Sequence, residues 1–465
     1  MLIARLDIIG FRGFAQEQTL RFAQPNGEDG SGLTVLVGPN SGGKSTIVES
    51  VQAFSGRNVS FSEGKRNKAA GDRVMIRLEE ESGKTQVLRT VDTGGSMTIR
   101  EPEGGKECYV LPSRRFFSPY FGLGGDTSRQ GYLSNRRVPA NRSNSIGDFA
   151  ERRLFAALKR REEFDTVLGH VMDPVPDWTI DQSDEGNYYV KLNSAGQFHN
   201  SDGMGEGIVS LLFIVDALYD SSPEDLIVID EPELSLHPVY QRRLAPLFAK
   251  YAKDRQIVLA THSPYFVDFE HILNGAEVAR VHKNLGGCVI SQLTRESTNQ
   301  LEGLLKNRNN PHLLGLEARE AFFQEDGVIV VEGQEDVVYY SDVFDQLVDK
   351  GNLSSKNAKL TKEHFFGWGA GGAGNIEKIV PIFYDLGFEK VVAVFDQNER
   401  GRICDLQKKY PGYLFRAIPA DDIRTKEERN VNAARGLLDE EYRIRPEFKT
   451  DTARLFNDIC VYLQP

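Results

Sequence analysis

Cysteine is scarce. The 465-residue chain holds four, Cys108, Cys288, Cys404 and Cys460, far apart and without a C-x-x-C pair, so neither a zinc spacing nor a disulfide framework is present. That usage fits a reducing, cytoplasmic setting. Long apolar runs are missing too. The opening MLIARLDIIGF alternates in the manner of a strand and lacks the apolar core and cleavage site of a secretory leader. The most apolar stretch, GIVSLLFIVDALY, is broken by Asp216 and is too short to span a bilayer, so no membrane partner is expected. No internal repeat of fixed period occurs. Positive charge is in deficit, with a net charge of −11, which excludes a generally basic nucleic-acid coat and leaves room only for local basic surface. One such surface is visible: residues 114–161 carry eleven Lys/Arg against three Asp/Glu. Aromatic residues do not interleave it in the manner of a base-stacking strip, so phosphate contact and a solvated helix face with dimer contacts are equal readings.

What is present is an α/β pattern on a chain long enough for roughly two to four domains with ample core. LIARLDII and LTVLVG read as strands, RVMIRLEE and TQVLRTV as further strands between Gly and Asp turns. DFAERRLFAALKRREEF has helical periodicity, WTIDQSDEGNYYVKLNSAG reads as a hairpin, and GEGIVSLLFIVDALYD as a largely buried helix. DLIVIDEPE and RQIVLATHSP are short, β-branched and apolar on both faces, as central parallel strands are. The polar LKNRNNPH segment marks a boundary near 305, after which GVIVVEGQED and EKVVAVFD begin a second α/β pattern. The expected organisation is residues 1–305 as one domain, with an insertion over about 116–200, and residues 306–465 as another.

The most specific motif is GPNSGGKST, Gly38 to Thr46, which fits G-x-x-x-x-G-K-[ST] between a strand and a helix. In such a loop Gly38, Asn40, Ser41, Gly42 and Gly43 turn backbone N–H groups around phosphate oxygens at a helix N-terminus. Lys44 bridges the β- and γ-phosphates, and Ser45, with Thr46 beside it, offers a hydroxyl to Mg²⁺. LIVIDEPE supplies the complement: Asp230, at the end of a buried strand, to hold Mg²⁺, and Glu231 to orient or deprotonate the attacking water.

With these motifs together, residues 1–300 resemble the ATP-binding-cassette ATPases of the SMC type. NSDGMGE is similar to their signature sequence at Ser201 and Gly203 and departs from it at Asn200, Asp202 and Met204. The resemblance implies that Ser201 and Gly203 meet the γ-phosphate held by a second protomer, so that ATP joins a homodimer or higher homo-oligomer. ELSLHP resembles the dimer-contacting loop, and His262 in THSP the switch histidine. The room between 115 and 200 excludes the long coiled coil of a structural SMC protein.

The second pattern places Glu332 after an apolar strand, Asp336 one helical turn on, and Asp396 after another strand in VVAVFDQN. Hard oxygen ligands converging from strand ends suit Mg²⁺, with Mn²⁺ as an alternative ion. This arrangement resembles a Toprim domain, and the order ATPase then Toprim resembles the OLD family of ATP-dependent nucleases over nearly the whole chain. The fold class that follows is α/β: an ABC-type P-loop ATPase with a short helical insertion, then a Toprim-like domain with a parallel sheet. The resemblance implies ATP-controlled, metal-dependent cleavage of double-stranded DNA in bacterial defence against phage, with a separately encoded defence partner as an option. It implies Glu332, Asp336 and Asp396 as metal ligands, and it makes Asp421, Asp422 and Lys426 of PADDIRTK further candidates, Lys426 to neutralise charge on the phosphate. Asn398 stands where the family pattern has a second aspartate; its amide oxygen can bind Mg²⁺ but brings no negative charge. The competing reading is a non-cleaving ATPase sensor or scaffold whose second domain binds DNA or a partner effector.

Overall fold

The computed structural model describes residues 2–55, 60–91, 96–103, 108–113, 122, 125, 128–131, 149–194, 196–200, 204–305, 312, 315–324, 327–425 and 435–464. The chain divides into two compact units, Met1–Ile290 and Ser291–Pro465. The division precedes the expected boundary at 305 because helix Arg295–Leu305 packs along helix Ala373–Asp385. The Asp385 carboxylate accepts from the Thr294 N–H at 2.8 Å and from the Thr294 hydroxyl at 2.6 Å, which fixes the start of that helix within the second unit.

The first unit carries a six-stranded sheet in the order Gly287–Gln292, Glu277–Asn284, Leu33–Val37, Gln256–Ala260, Leu226–Asp230, Tyr109–Leu111. The five strands from Glu277–Asn284 onward pair in parallel. Leu33–Val37, Leu226–Asp230 and Gln256–Ala260 are buried at every residue, the two-faced burial that made them unbroken apolar runs. An antiparallel sheet of five strands runs in the order Gln18–Arg21, Ile3–Ile9, Met75–Glu80, Thr85–Thr90, Thr98–Glu101. Helix Lys44–Ser55 joins the two sheets: Ile47, Val51 and Phe54 share one apolar cluster with Leu6 and Ile8 of the antiparallel sheet and with Leu36 and Val258 of the parallel one. Each such side chain contributes about 1.5–3 kcal/mol of burial, so the helix that follows the glycine turn is anchored from both sides.

The insertion is mixed, not simply helical. Its described part holds helices Phe155–Lys159 and Arg161–Gly169 and a three-stranded antiparallel sheet, Gln197–His199, Tyr188–Ser194 and Asp177–Gln182. Four of its described arginines form ion pairs within the unit. Arg153 is fully buried against Asp216 and Asp220, Arg160 meets Asp220 and Glu163, Arg161 meets Asp165 and Asp177, and Arg129 meets Asp225.

In the second unit three parallel strands lie in the order Val328–Val331, Val391–Phe395, Leu414–Ala417. Helices Gln334–Asp349 and Lys449–Leu463 contribute Tyr340, Phe344, Phe456 and Ile459 to an apolar cluster that includes Ile329, Val331, Val392 and Val394. All three strands point the same way, so their C-terminal ends form one edge, where an open α/β sheet collects ligands.

Candidate functional site

Strand Leu33–Val37 runs directly into a turn that only glycine can make. Gly38 has φ +119°, and a Cβ there would stand 2.4 Å from the Val281 carbonyl oxygen; at Gly42 the same oxygen would be 2.2 Å away. Ser41, at φ +60°, and Asn40 occupy the exposed tip. The turn folds around Lys44, which is only 6% exposed and donates from Nζ to the carbonyl oxygens of Gly38 at 2.7 Å and Pro39 at 3.0 Å. Burial lowers the Lys44 pKa to about 8, while the carboxylates of Asp230, Glu233 and Glu231 act in the opposite sense. The ammonium is thus held out of water with neutral partners, ready for stronger acceptors.

Ser45 donates its hydroxyl hydrogen to Asp230 Oδ1 at 3.2 Å, joining positions 185 residues apart. Asp230 is buried at the end of its strand. The chain then reverses through Glu231, at φ +51°, whose N–H donates to the Ala260 carbonyl at 2.7 Å. A non-glycine residue in the left-handed region is uncommon, and such strain gathers at functional sites. Two residues on, Glu233 accepts from the Thr261 hydroxyl at 2.7 Å and from the His262 N–H at 2.6 Å. Burial raises the Glu233 pKa, with those two donors opposing it. His262 is pushed down, first by burial and then by the Lys44 ammonium, with Glu231 opposing, so its imidazole stays neutral near pH 7. Lys44, Asp230, Glu231, Glu233 and His262 therefore share one electrostatic environment. The hydroxyl of Ser45 and the carboxylate of Asp230 are the hard oxygens that would hold a Mg²⁺ ion, and the glycine turn with Lys44 suits a polyphosphate.

The second unit brings carboxylates to the C-terminal edge of its parallel sheet. Glu332 follows strand Val328–Val331 and Asp396 follows Val391–Phe395; the Asp396 N–H donates to Glu332 Oε1 at 2.9 Å. Burial raises the Glu332 pKa; the N–H of Asp396 opposes it, Glu399 and Asp422 raise it further, and Arg402 lowers it. The glycine-rich stretch from Gly367 to Asn375 shapes one wall of this edge. Gly369, at φ +87°, passes so close to Gly333 that a Cβ would lie 2.7 Å from its carbonyl carbon, and the Gly372 N–H donates to the Glu332 carbonyl oxygen at 2.7 Å. Asp336 is buried, but its Oδ2 accepts from the Gly333 N–H at 2.8 Å, closing the first turn of its own helix. Among the described residues no group of three or more His, Cys, Asp or Glu side chains stands close enough to hold a metal ion.

Residues 109–268 match the family described as "AAA domain, putative AbiEii toxin, Type IV TA system", and residues 5–167 match a family described as "AAA domain". The chain carries an AAA/ABC-type ATPase domain. The ATPase domain implies ATP and, with it, Mg²⁺. No curated protein matches the chain. Similar solved structures include the SMC head domain from Thermotoga maritima, with 16% identity, covering 63% of this chain and 100% of that one at a TM-score of 0.37. Another is an Smc head with an extended coiled coil bound to the C-terminal domain of ScpA derived from Pyrococcus furiosus, with 13% identity, 66% and 100% coverage, and a TM-score of 0.41. Likeness at that level identifies neither activity nor partner.

Within the ATPase domain the structure gathers Lys44, Ser45, Asp230, Glu231 and His262 as one cluster. Ser201 and Gly203 lie outside the described residues, as does Lys426 of the second unit. Glu233 was missed. The signal for it was the second acid of DEPE, two residues beyond Glu231, but only the fold reveals that it ties down the His262 loop. In the second unit the structure links Glu332 to Asp396 and engages Asp336 Oδ2 with the Gly333 N–H. Asn398 is exposed on the turn after Asp396, whereas Glu399 is the residue whose charge Glu332 feels. Glu399 also pairs with Arg402, and no sequence pattern singled it out.

Proposed function

We propose that the protein is an ATP-dependent nuclease resembling the OLD family, in which the nucleotide state of the ATPase domain controls divalent-metal-dependent cleavage of double-stranded DNA by a Toprim-like second domain. The observation that carries this reading is the Asp396 N–H to Glu332 Oε1 hydrogen bond at the ends of adjacent parallel strands, with Asp422 and Glu399 in electrostatic reach. That edge is where an open α/β sheet collects ligands. A divalent ion, Mg²⁺ or Mn²⁺, held there by Glu332 and Asp396 would supply an activated water and would neutralise charge on the leaving oxygen. The protein's own part is to fix the carboxylate orientations. Ser201 and Gly203 would serve a nucleotide-bridged homodimer or higher homo-oligomer, with a separately encoded partner in anti-phage defence. ATP can control cleavage only by favouring one protomer arrangement over another, since equal binding to both would switch nothing.

Incubation of plasmid DNA with the protein, with Mg²⁺ or Mn²⁺ and with or without ATP, tests the reading. Cleavage by the intact protein that disappears in a Glu332→Ala, Asp396→Ala double variant supports it; absence of cleavage with either metal overturns it. The ATPase is tested apart, by hydrolysis in Lys44→Ala protein, where an undiminished rate would refute the assigned role of Lys44. A second reading, a non-cleaving sensor whose second domain binds DNA or a partner effector, is favoured by the exposed amide of Asn398 and by the engagement of Asp336 with its own helix.

A further inference from the structure

The loop that follows Asp230 is bound to the His262 segment by more than Glu233. Strand Gln256–Ala260 lies between Leu33–Val37 and Leu226–Asp230, with Ala260 opposite Leu36 on one side and Asp230 on the other. Past its end the Thr261 N–H donates to the Leu36 carbonyl oxygen at 3.0 Å, so residues 261–263 emerge between the glycine turn and Asp230–Glu231. ELSLHP meets that segment at two separate points. Glu233 accepts from the Thr261 hydroxyl and the His262 N–H. Leu236 is reached through helix Pro238–Tyr251: Gln241 Nε2 donates to the Leu236 carbonyl oxygen at 2.9 Å, and Gln241 Oε1 accepts from the Ser263 hydroxyl at 2.7 Å. The Ser263 N–H donates to the Thr261 hydroxyl oxygen at 2.9 Å, and the Leu236 N–H to the Glu233 carbonyl oxygen at 2.9 Å, which closes a ring. Thr261, Ser263 and Leu236 are buried. A carbonyl only accepts, so the Gln241 amide has a single orientation in this ring. A satisfied, buried network of this kind rigidifies what it joins. The tip of the loop stays outside it: Leu234 is exposed, and Ser235, at φ +62°, donates its hydroxyl hydrogen at 2.8 Å to Glu206 at the start of helix Glu206–Tyr219.

We propose that Gln241 is a positioning residue for ATP hydrolysis: bonded to the Ser263 hydroxyl and to the Leu236 carbonyl, it clamps the Leu234–Ser235 loop to the His262 segment and so holds the imidazole in one place between the glycine turn and Glu231. This rests on the assignment of the Lys44 cluster to ATP hydrolysis and adds to it a residue that belongs to none of the sequence motifs. Gln241 acts through Ser263, not on the nucleotide. A hydrogen bond of this kind is worth about three- to tenfold when its loss falls on a rate.

The test is steady-state ATP hydrolysis by the full chain carrying Gln241→Leu, Ser263→Ala, the two together, or Ser263→Thr, with urea unfolding recorded for each. Gln241→Leu and Ser263→Ala are each expected to lower kcat about three- to tenfold with KM little changed. The double variant should be no slower than the slower single one, because both changes break the same link. Ser263→Thr keeps the hydroxyl and should keep the rate. Leu244→Val removes a methylene from a buried residue of the same helix but leaves the ring intact; it should lower the unfolding midpoint and spare kcat. A wild-type kcat in Gln241→Leu overturns the proposal while leaving the ATPase standing. Losses that multiply in the double variant show two independent effects and overturn it, as does a fall of kcat in Leu244→Val equal to that in Gln241→Leu, which would reduce Gln241 to a packing residue. Wild-type hydrolysis no faster than that of Lys44→Ala refutes the nucleotide site itself, and this proposal with it.

Discussion

Replacing Asp216 with alanine should destabilise the first unit more than any surface change. Arg153 has no exposed side-chain surface and Asp216 is 1% exposed. The aspartate accepts from Arg153 Nε at 3.0 Å and Nη2 at 2.9 Å and from the Tyr109 hydroxyl at 2.8 Å. Without it the guanidinium loses both of these bonds, while Nη2 still meets Asp220 at 2.7 Å. Removing one partner of a buried pair costs about 3–5 kcal/mol, because the remaining charge stays out of water. Loss of the Tyr109 hydroxyl's bond to Asp216 adds about 1 kcal/mol, with overlap between the two, so about 4–5 kcal/mol is expected. Urea unfolding followed by the fluorescence of Trp178, which shares the apolar cluster of helix Glu206–Tyr219, reads this as a lowered midpoint with an unchanged slope. The reasoning also fixes the sign of a second variant. Arg153→Met with Asp216→Leu leaves neither charge buried and should recover most of the loss, since apolar residues of similar volume replace buried ion pairs at little cost. A single-variant loss below about 1 kcal/mol, or a double variant no more stable than the single, would refute the account.

The Lys44 ammonium gives a pH signature. Its pKa of about 8 in the folded protein lies below the usual 10.5, so between these values the unfolded chain holds more protons and stability rises with pH; nucleotide-free protein should gain up to about 3 kcal/mol from pH 8 to 10.5 relative to Lys44→Met, read as the difference between their urea midpoints. Glu233→Gln removes the charge that holds the Thr261 hydroxyl and the His262 N–H, and steady-state ATP hydrolysis should fall on the order of tenfold in kcat with KM little changed; an unaltered kcat would detach the His262 loop from hydrolysis. Gly369→Ala forces a Cβ against the Gly333 backbone and should cost on the order of 1–3 kcal/mol in unfolding experiments. Gly374→Ala, where a Cβ meets nothing within 4 Å, is its control and should leave the unfolding free energy within about 0.5 kcal/mol of wild type.

The readable parts of the chain were those in which neighbours in sequence make the chemistry. Gly38 to Thr46 announced itself because a buried strand, an obligatory glycine turn and a helix N-terminus are consecutive. Asp230, Glu332 and Asp396 were legible as the first polar residues after apolar strands. The boundary near 305 was less so: the polar segment after Leu305 looked like a linker, but the Thr294–Asp385 hydrogen bonds assign the preceding helix to the second unit. The basic stretch of residues 114–161 could be counted but not interpreted, because a charge count does not say that Arg153 will be buried against Asp216.

The sequence by itself determined the nucleotide-binding turn, the strand-end acids and the α/β class, since backbone conformation and burial pattern are encoded over a few adjacent residues. Only the tertiary structure decided which long-range partner each charged group meets. It set Ser45 beside Asp230, 185 residues away, and Glu332 beside the Asp396 N–H, 64 residues away. It also gave Glu233 the His262 loop, turned Asp336 Oδ2 back to its own helix, and left Asn398 exposed while bringing Glu399 into reach of Glu332. The physical reason is that a carboxylate or hydroxyl takes its role from what shares its low-dielectric surroundings, and those neighbours are chosen by the packing of whole strands and helices.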